Sequence, residues 1–427
     1  MARVYLKKAE KTAKTDAGST QDIVRGILSD IEEGREKVAL EISAKFDKYS
    51  GNAILTRDEI DEAKQKIPQK LRDDMHYAHD NIMRFALAQK GTMSNMEMEL
   101  HPGLITGQKL IPVNAAGCYV PGGRYAHIAS AMMTVTTAKA AGVGHITACS
   151  PPNGDEGINP AIIYAADLAG ADKILSLGGV QGVASMTYGL FDLPEADIIV
   201  GPGNQFVAEA KRQLFGRVGI DMIAGPTDSL ILADANADAD IVACDLVGQA
   251  EHGYNSPAWL YTTSKELAEK VIKRVPELIA DLPELPKTSA EAAWRDYGEV
   301  VLCDNDEEMA TISDKYAPEH LELQTENLKW FHNRLKNYGS LFVGEETTVA
   351  YGDKCSGTNH ILPTKGAGRY TGGLFVGKFI KTLSFQRMTK ESTELVGAVA
   401  ARLSRYEGME AHARTADARL RKYGFSN

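Results

Sequence analysis

From about residue 110 onward, short runs of apolar and β-branched residues alternate with helical segments, and glycines mark many of the junctions. One example is HITACSPP, residues 145–152, which is followed by the helical run NPAIIYAADLAG, residues 159–170. Because parallel neighbours in a sheet need a crossover connection, this alternation is typical of right-handed βαβ units. It resumes at SLILADA, after residue 228, so the sequence predicts an α/β protein with two Rossmann-like parallel-sheet domains.

The segments on either side of this alternation are predicted to be helical. Residues 15–90 carry apolar side chains at intervals of three and four. Within them Thr56 stands three residues before Glu59, which is the spacing of a capping box. The tail from about residue 395 is also predicted to be helical.

The overall charge and the cysteines restrict the class of function. The chain has 427 residues and a net charge of −10, with 57 acidic and 47 basic side chains, which disfavours a nucleic-acid partner. An anionic substrate stays possible, because a local pocket can oppose the global charge. The five cysteines form no CxxC pair, the N-terminus lacks the apolar core of a secretory signal, and no run of 18 apolar residues occurs. We therefore expect a cytoplasmic protein without a membrane partner.

Gln249 and His252 stand three residues apart near the end of a predicted helix, which places both side chains on one face. Histidine is a common zinc ligand, whereas a glutamine oxygen is an uncommon one. A surface helix that carries Gln, Glu and His needs no metal. Taken alone, this pair therefore favours an ordinary helix over a metal site.

Glu319 and His320 directly follow Pro318 in the segment YAPEHL. Their reference pKa values lie on either side of weakly acidic pH, so the two side chains can serve as two different bases. Proline and glutamate are also typical of the first turn of a helix. The residues alone leave a catalytic pair and a helix start equally open.

Two further segments carry groups that bind ligands. GDKCSGTNHILPT, residues 352–364, is predicted to be a loop that carries Asp353 and His360, and ligand-binding groups concentrate on such loops. An Asx turn at Asp353 or Asn359 is the alternative. The polar residues run straight into the apolar ILP, which favours binding. In EGMEAH, Glu407 and His412 are five residues apart, and this pair alone favours a solvated helix face.

Three glycine-rich turns each follow a predicted strand and open a helix, where backbone N–H groups can approach a phosphate. None of them is a complete GxGxxG dinucleotide motif. Tight turns between strands and helices need glycine as well, so the phosphate-binding and the purely structural interpretations both stay open. The turns contain Gly122-Gly123, Gly178-Gly179 with Gly182, and Gly201 with Gly203.

Taken together, these motifs resemble the histidinol dehydrogenase family, whose members are zinc- and NAD-dependent four-electron oxidoreductases. The resemblance runs from about residue 18 to 420, and several motifs in one order are more specific than any single one. It implies an enzyme that oxidises an alcohol through a bound aldehyde to a carboxylate. The motifs are SAKFDKY, GPGNQFVAEAKRQ, AGPT, QAEHG, APEHL, GDKCSGTNHILPT and EGMEAH.

The resemblance also implies roles for particular residues. The catalytic bases would be Glu319 and His320: His320 accepts the alcohol proton, and Glu319 activates water for the aldehyde step. The zinc ligands would be Gln249, His252, Asp353 and His412, the last supplied by the partner subunit of a homodimer. The NAD contacts would be Tyr119, Gln181 and Asn204, and the substrate contacts Thr227, His360 and Glu407.

With these roles, the alternation of strands and helices predicts a division of the chain into four parts. They are an N-terminal arm at 1–14, a discontinuous first α/β domain at 15–118 plus 229–372 with the catalytic and metal residues, a second, NAD-binding domain at 119–228, and a C-terminal dimerisation tail at 373–427.

The segment PGGRYAHI departs from the usual family pattern, because Arg124 and His127 stand where the family has small and apolar residues. Histidinol carries a cationic amine, whereas an arginine fork favours an oxyanion. Together with GPTDSLIL, the segment resembles the sulfopropanediol dehydrogenase branch, which converts 2,3-dihydroxypropane-1-sulfonate to sulfolactate. Arg124, His127 and His360 are therefore the predicted sulfonate partners. For Arg124 and His127, contact with the NAD pyrophosphate or with solvent is the alternative.

Three other functions are alternatives to sulfonate oxidation. Histidinol oxidation is the alternative within the family. A zinc-stabilised α/β binding protein without activity would be expected to show a broken base pair or ligand set, and neither is broken in this sequence. A metal-dependent hydrolase or aldolase would give no NADH when substrate is added.

Overall fold

A computed structural model of the chain describes residues 4–11, 18–123, 125–223 and 225–425. These residues form two compact units, of which the first comprises Met1–Gln89 with Val113–Phe379 and the second Lys90–Pro112 with Ile380–Asn427. Within the described residues, no helix is long and apolar enough to cross a membrane.

The first unit contains a six-stranded sheet whose strands are all parallel except the edge strand β1, which is antiparallel to its neighbour. In spatial order the strands are β1 (Val4–Lys7), β11 (Glu299–Leu302), β10 (Ala258–Thr262), β9 (Ser229–Ala233), β12 (His320–Gln324) and β13 (Ser340–Val343). The chain builds outward from β9 to β11 and then returns to the other side of β9, so the strand order reverses between β9 and β12.

The same unit contains a five-stranded parallel sheet with the same kind of reversal, here between its third and fourth strands. In spatial order the strands are β6 (Lys173–Leu175), β5 (His145–Cys149), β4 (Ala115–Tyr119), β7 (Ile198–Val200) and β8 (Gly219–Ile220). The prediction of an α/β fold with two parallel sheets is therefore confirmed, and the predicted division of the chain into domains stays a prediction.

Helices cover both sheets. They are α1 (Gly18–Phe46), α2 (Arg57–Gln65), α3 (Gln69–Gly91), α4 (Ile128–Ala141), α5 (Pro160–Ala169), α6 (Gly179–Tyr188), α7 (Gln205–Leu214), α8 (Ala239–Ala250), α9 (Lys265–Ala280), α10 (Glu284–Tyr297), α11 (Asp306–Tyr316), α12 (Leu328–Arg334) and α13 (Val349–Lys354). The predicted capping box of α2 is present, because the Glu59 N–H donates to Thr56 Oγ1 and the Thr56 N–H donates to Glu59 Oε2.

The central strands of the six-stranded sheet bury both faces. On β9, Leu230 and Leu232 pack into one apolar cluster, and Ile231 packs into the other, with α8, α9 and α10. Full burial of each such side chain contributes roughly 1.5–3 kcal/mol. These packed strands form a rigid frame that fixes the positions of the residues at the strand ends.

The second unit consists of a three-stranded antiparallel sheet followed by two helices. The sheet has the order β14 (Ile380–Met388), β3 (Leu104–Pro112) and β2 (Met96–His101), and the helices are α14 (Ser392–Tyr406) and α15 (Glu410–Tyr423). The helical C-terminal tail is confirmed. The sequence analysis does not predict the antiparallel sheet, in which β14 pairs with β3 from Ile380–Pro112 to Met388–Leu104, far away in the sequence.

Candidate active site

The pair Glu319–His320 lies at the amino end of β12, so the helix-start interpretation of this segment is wrong. Helix α11 ends where Ala317 takes a left-handed φ of 50°, and the strand begins at His320. Asp228 holds the segment in place: the Glu319 N–H donates to Asp228 Oδ1 at 2.8 Å, and the Asp228 N–H donates to Glu319 Oε2 at 3.1 Å. This reciprocal pair of hydrogen bonds joins the amino ends of β9 and β12 and fixes the Glu319 carboxyl group.

The orientation of the His320 ring leaves one nitrogen ready to accept a proton. Its Nδ1 lies 3.3 Å from the backbone oxygen of Asp228, which only accepts hydrogen bonds, and 3.3 Å from Gln249 Nε2, which only donates them. In the neutral tautomer that binds the Asp228 oxygen, Nδ1 carries the proton. Nε2 then presents a lone pair, and it is buried without a hydrogen-bond partner. Asp353 Oδ1 lies 3.6 Å from Nε2, which is beyond hydrogen-bonding distance. This arrangement suits a general base.

Burial and neighbouring charges shift the pKa values of the pair. Burial raises the pKa of Glu319 to about 8, and the negative charge of Asp228 adds to the effect. Burial by itself lowers the pKa of His320, but the negative charges of Glu319 and Asp353 outweigh it and raise that pKa to about 9. At these values both side chains hold a proton at neutral pH, and the positive charge of a zinc ion beside them would lower both pKa values and favour the base forms. Perturbed titratable groups of this kind are typical of functional sites.

Gln249 and His252 lie beside this pair, where α8 ends at Ala250. The His252 N–H donates to the backbone oxygen of Gln249 at 3.3 Å, which turns the chain after the helix. Gln249 Nε2 donates to Thr227 Oγ1 at 2.8 Å and lies 3.3 Å from His320 Nδ1. The amide nitrogen is therefore engaged, and the amide oxygen is the atom left for another partner.

Asp353 and His360 come from the predicted binding loop, but Asp353 itself belongs to the last turn of α13. His360 Nδ1 donates to the backbone oxygen of Asp353 at 2.9 Å, and His360 Nε2 lies 2.8 Å from Ser130 Oγ on α4. Burial raises the pKa of Asp353, yet His320 and His360 hold it below its usual range. Asp353 is therefore an ionised, buried carboxylate. The Asx turn at Asn359 is also present, because its Oδ1 accepts the N–H of Ile361 at 3.0 Å.

The donor set of this region partly fits a zinc ion. Among the described residues, no group of three or more His, Cys, Asp or Glu side chains converges on one point. Gln249, whose amide oxygen is available as a ligand, is not one of these residue types. His252 and Asp353 lie close enough to shift each other's pKa. The amide oxygen of Gln249, the imidazole of His252 and the carboxylate of Asp353 are three of the four ligands that a tetrahedral N/O zinc site needs.

Glu407 and His412 belong to the second unit. Glu407 follows the last residue of α14, His412 lies in the first turn of α15, and both side chains are exposed. Their roles at the substrate and at zinc stay predictions.

The three glycine turns meet at the carboxyl edge of the five-stranded sheet, beside the point where its strand order reverses. A cavity of about 660 Å³ opens there. Crevices at such reversal points are where open α/β sheets bind their ligands. The lining includes all three predicted NAD contacts, Tyr119, Gln181 and Asn204, as well as Gly122, Gly179 and His127.

Hydrogen bonds hold the cavity wall in shape. The Gly179 N–H donates to the Tyr119 hydroxyl at 3.0 Å, and Asn204 Oδ1 accepts the Phe206 N–H at 3.0 Å, which caps α7. Gly201 has a φ of 113°, and a side chain there would collide with the backbone oxygen of Tyr119. Glycine is therefore required at this position for a close approach between β4 and the turn after β7.

The sequence analysis missed several residues that support the cavity. Asp47 lines it and accepts hydrogen bonds from Gln181 Nε2 at 2.9 Å and from the Gly178 N–H at 3.2 Å. Asp47 stands in SAKFDKY, a motif that carried the resemblance without an assigned role. A buried ion pair between Lys211 and Asp221 lies under the Gly201 turn; Lys211 Nζ donates to the Gly201 oxygen at 2.9 Å.

The structure describes only some of the residues that were predicted to bind the substrate anion. Arg124 lies outside the described residues. His127 lines the cavity at the start of α4, and burial lowers its pKa to about 4, so it offers a hydrogen bond but no charge. Lys354, which the sequence analysis did not single out, is exposed, and after burial its charge is among the causes that lower the pKa values of His127 and His360. A cationic side chain therefore lies near both histidines.

Comparison with known proteins agrees with this geometry. A family model described as histidinol dehydrogenase matches residues 10–420. A histidinol dehydrogenase homolog from Pelagibacter ubique is 70% identical over 100% of both chains. The sulfopropanediol 3-dehydrogenase of Ruegeria pomeroyi is 63% identical over 98% of this chain and 96% of its own.

A solved structure gives the same result for the fold. The crystal structure of histidinol dehydrogenase from Elizabethkingia anophelis has a TM-score of 0.91 to this chain at 33% identity, covering 97% of this chain and 95% of that one. Members of this family are NAD-dependent dehydrogenases that generally bind zinc and act as homodimers on small molecules. The chain belongs to the histidinol dehydrogenase family.

Proposed function

We propose that this protein is a zinc- and NAD-dependent dehydrogenase that oxidises 2,3-dihydroxypropane-1-sulfonate through sulfolactaldehyde to sulfolactate. One observation supports the choice of substrate: identity is 63% to a sulfopropanediol 3-dehydrogenase but 38% and 39% to the histidinol dehydrogenases of two Methanosarcina species, each over more than 90% of both chains. The reaction converts one primary alcohol and one water to a carboxylate, reduces two NAD⁺ to NADH and releases three protons.

The residues at the amino edge of the six-stranded sheet divide the proton transfers of this reaction. When bound, zinc supplies a Lewis acid for the substrate oxygen, and NAD supplies the hydride acceptor. His320 takes the hydroxyl proton at Nε2, and the Asp228 oxygen on Nδ1 and the nearby Asp353 carboxylate stabilise the resulting positive ring. In the second half-reaction Glu319 takes a proton from the water that attacks the aldehyde.

Gln249, His252 and Asp353 would hold zinc, with His412 as the fourth ligand. Their chemistry suits the ion, because a buried ionised carboxylate, an imidazole and an amide oxygen are all zinc donors. Tyr119, Gln181 and Asn204, with the glycine turns, would hold NAD in the cavity of the five-stranded sheet.

The sulfonate end of the substrate needs positive charge and hydrogen-bond donors. Arg124 and Lys354 would supply the charge, and His127 would supply a neutral N–H donor. His360 would line the pocket without donating to the sulfonate, because the single N–H of its neutral ring is donated to the Asp353 oxygen. Thr227 and Glu407 would contact the hydroxyl groups. A sulfonate brings a permanent negative charge, whereas histidinol brings an ammonium group that these cations would repel.

The decisive experiment compares the two alcohols with the zinc-loaded enzyme and measures NADH formed per alcohol consumed. We expect about two NADH per dihydroxypropanesulfonate, as the four-electron chemistry of an alcohol-to-acid oxidation requires, and little or none from histidinol. If histidinol is the far better substrate, the protein is a histidinol dehydrogenase and the sulfonate proposal is wrong. If neither alcohol yields NADH, the enzymatic proposal itself is wrong.

A further inference from the structure

Strand β12 presents a row of polar side chains to α8, although all of its residues are buried. His320, Glu322 and Gln324 alternate along the strand and share one face, whereas Leu321 and Leu323 pack into the apolar cluster on the other face. Two contacts to α8 belong to this row: Gln249 Nε2 lies 3.3 Å from His320 Nδ1, and Gln324 Nε2 donates to Asp245 Oδ2 at 2.8 Å.

Glu322 stands in the middle of this row, and neither the catalytic roles nor the zinc site uses it. It is 1% exposed, and neither of its carboxyl oxygens receives a hydrogen bond from an N–H or O–H donor. A buried carboxylate without donors is very unfavourable. Burial raises the pKa of Glu322 well above its usual value, and the negative charge of Asp245 adds to that shift.

Asp245 on α8 faces this row: it accepts a hydrogen bond from Gln324, which shares the face of β12 with Glu322, and the carboxyl groups of Asp245 and Glu322 shift each other's pKa. Two carboxylates that interact in a buried position cannot both be ionised, so the pair holds one proton. Asp245 already accepts hydrogen bonds from Thr348 Oγ1 at 2.9 Å and from Gln324 Nε2, which stabilise its charged form. Burial raises the pKa of Asp245 as well, but these two hydrogen bonds oppose the shift. For Glu322, the backbone N–H of Val349 lies outside hydrogen-bonding geometry and is the weakest influence on its pKa. The proton therefore belongs on Glu322.

The contacting side chains on α8 and on β12 are spaced by nearly the same distance along their elements. Asp245 and Gln249 are four residues apart on α8, a rise of about 6 Å. Glu322 and His320 are two residues apart on β12, a rise of about 6.6 Å. The Glu322–Asp245 contact and the His320–Gln249 contact are thus neighbouring connections between the same helix and the same strand.

We propose that Glu322 is a positioning residue: as a carboxylic acid it donates a hydrogen bond to Asp245, and this bond holds α8 against β12 so that Gln249 and His320 keep their contact. The proposal rests on the function proposed above for the roles of His320 and Gln249, but the state of Glu322 can be measured without any substrate. Displacement of a catalytic group by about 1 Å can cost on the order of a hundredfold in rate, so a lost connection of this kind should be visible in kcat.

The first experiment is an infrared difference spectrum between the wild-type protein and Glu322→Gln at neutral pH. We expect a carbonyl stretch of a buried, protonated carboxyl group in the wild type that the variant lacks. The measurement needs neither NAD nor alcohol, so it stays valid if the proposed substrate is wrong. If the band is missing from the wild type, Glu322 is ionised and the proposal is overturned.

The second experiment compares kcat for Glu322→Gln and Glu322→Leu on whichever alcohol the wild type oxidises. The Gln amide keeps an N–H donor for Asp245, so kcat should stay within about twofold of the wild type, whereas Leu removes the donor and should lower kcat by about tenfold or more. KM for NAD⁺ should not change in either variant, because the cavity lies at the other sheet. Equal losses in both variants, or none in either, would show that the hydrogen bond does not position the site.

Thr325→Val is the matched control. Thr325 follows Gln324, is also buried, and has a hydroxyl oxygen without a partner, but it has no contact with Asp245 or Gln249 among the hydrogen bonds of the described residues. We expect its kcat to equal that of the wild type. A tenfold loss of kcat in this control would mean that any change in this part of β12 lowers activity. The loss in Glu322→Leu would then contradict a specific role of Glu322.

Discussion

The two parallel sheets of the first unit reverse their strand order in the same way but carry their candidate functional groups at opposite edges. The five-stranded sheet uses its carboxyl edge, where glycine turns bring backbone N–H groups around a cavity. The six-stranded sheet uses its amino edge, where titratable side chains converge around His320. In the function proposed above, one topology thus serves two purposes: backbone groups would bind NAD at one sheet, and side chains would move protons at the other.

The difference between the two edges follows from which end of a helix lies at each of them. At a carboxyl edge the following helix starts, and its free N–H groups suit a phosphate. At an amino edge the preceding helix ends, so α8 delivers Gln249 and His252 beside the first residue of β12. Ser130 on α4 contacts His360 and thereby links the cavity side to the catalytic side. Variants at each edge should therefore affect different kinetic constants.

The largest effect is expected for His320→Ala, which removes the base at the amino edge. Loss of a general base lowers kcat by about 10²–10⁴-fold. We expect this loss for the alcohol, whereas sulfolactaldehyde should still be oxidised, as measured by NADH formation with each compound supplied separately. His332→Ala changes an exposed histidine on α12 and serves as the control. Equal losses with alcohol and aldehyde would contradict the separate role of His320.

Glu319→Gln tests the other half of the amino edge. The amide keeps the size of the side chain but cannot take a proton from water, so aldehyde oxidation should fall by about a hundredfold. Alcohol oxidation should continue, and the NADH formed per alcohol should drop from about two towards one, as one hydride transfer is lost. The measurement is a joint assay of NADH and released aldehyde. If neither this variant nor His320→Ala releases aldehyde, the division of roles is wrong.

Gly201→Ala tests the carboxyl edge of the five-stranded sheet. The methyl group would collide with the backbone oxygen of Tyr119, so the turn must move and the cavity must change shape. We expect the Kd for NAD⁺ to rise by roughly tenfold or more, since forcing a residue into a left-handed conformation next to a clash costs on the order of 1–3 kcal/mol. Isothermal titration calorimetry with NAD⁺ gives this value without turnover.

Gly216→Ala is the matched control for this variant. Gly216 has a φ of 107°, close to that of Gly201, but a Cβ there meets no atom within 4 Å. It bears the same conformational cost without the collision. If both variants weaken NAD⁺ binding equally, the effect comes from backbone strain and not from the turn beside the cavity.

The comparison also shows which features a sequence reveals. The glycine turns and the alternation of strand and helix are local patterns, so the two sheets could be predicted. Asp47 could not be assigned a role, because its partner Gln181 lies 134 residues away and no local pattern connects them. Glu319 and His320 were found, but the strand that carries them was open to a helical interpretation, because Pro and Glu favour either a helix start or a turn.

Asp228 and Glu322 illustrate a second limit. Each is an acidic residue in a segment that mixes polar and apolar side chains, and the sequence alone does not show what its partner is. Asp228 acts through backbone hydrogen bonds to Glu319, and Glu322 through a contact across to α8. Both roles depend on which strands become neighbours, and β9 and β12 are separated by some 90 residues of chain that build two other strands.

The smallest effects are expected for the cations around the sulfonate. A hydrogen bond to a charged group contributes about 1.5–3 kcal/mol, so Arg124→Ala and Lys354→Met should each raise KM for dihydroxypropanesulfonate by about tenfold or more. KM for an uncharged diol should change little, because no oxyanion is lost. Lys329→Met changes an exposed lysine on α12 and should leave both constants unchanged.

These two variants also separate the alternatives for Arg124. If Arg124→Ala raises KM for the charged and the uncharged diol equally, the side chain has no role at the sulfonate, and an accompanying rise in KM for NAD⁺ would assign it to the pyrophosphate. Because Lys354 follows Asp353 directly, its effect would place the sulfonate near the amino edge of the six-stranded sheet. An effect of Lys354→Met without one of Arg124→Ala would therefore assign substrate recognition to the sheet that carries the catalytic bases.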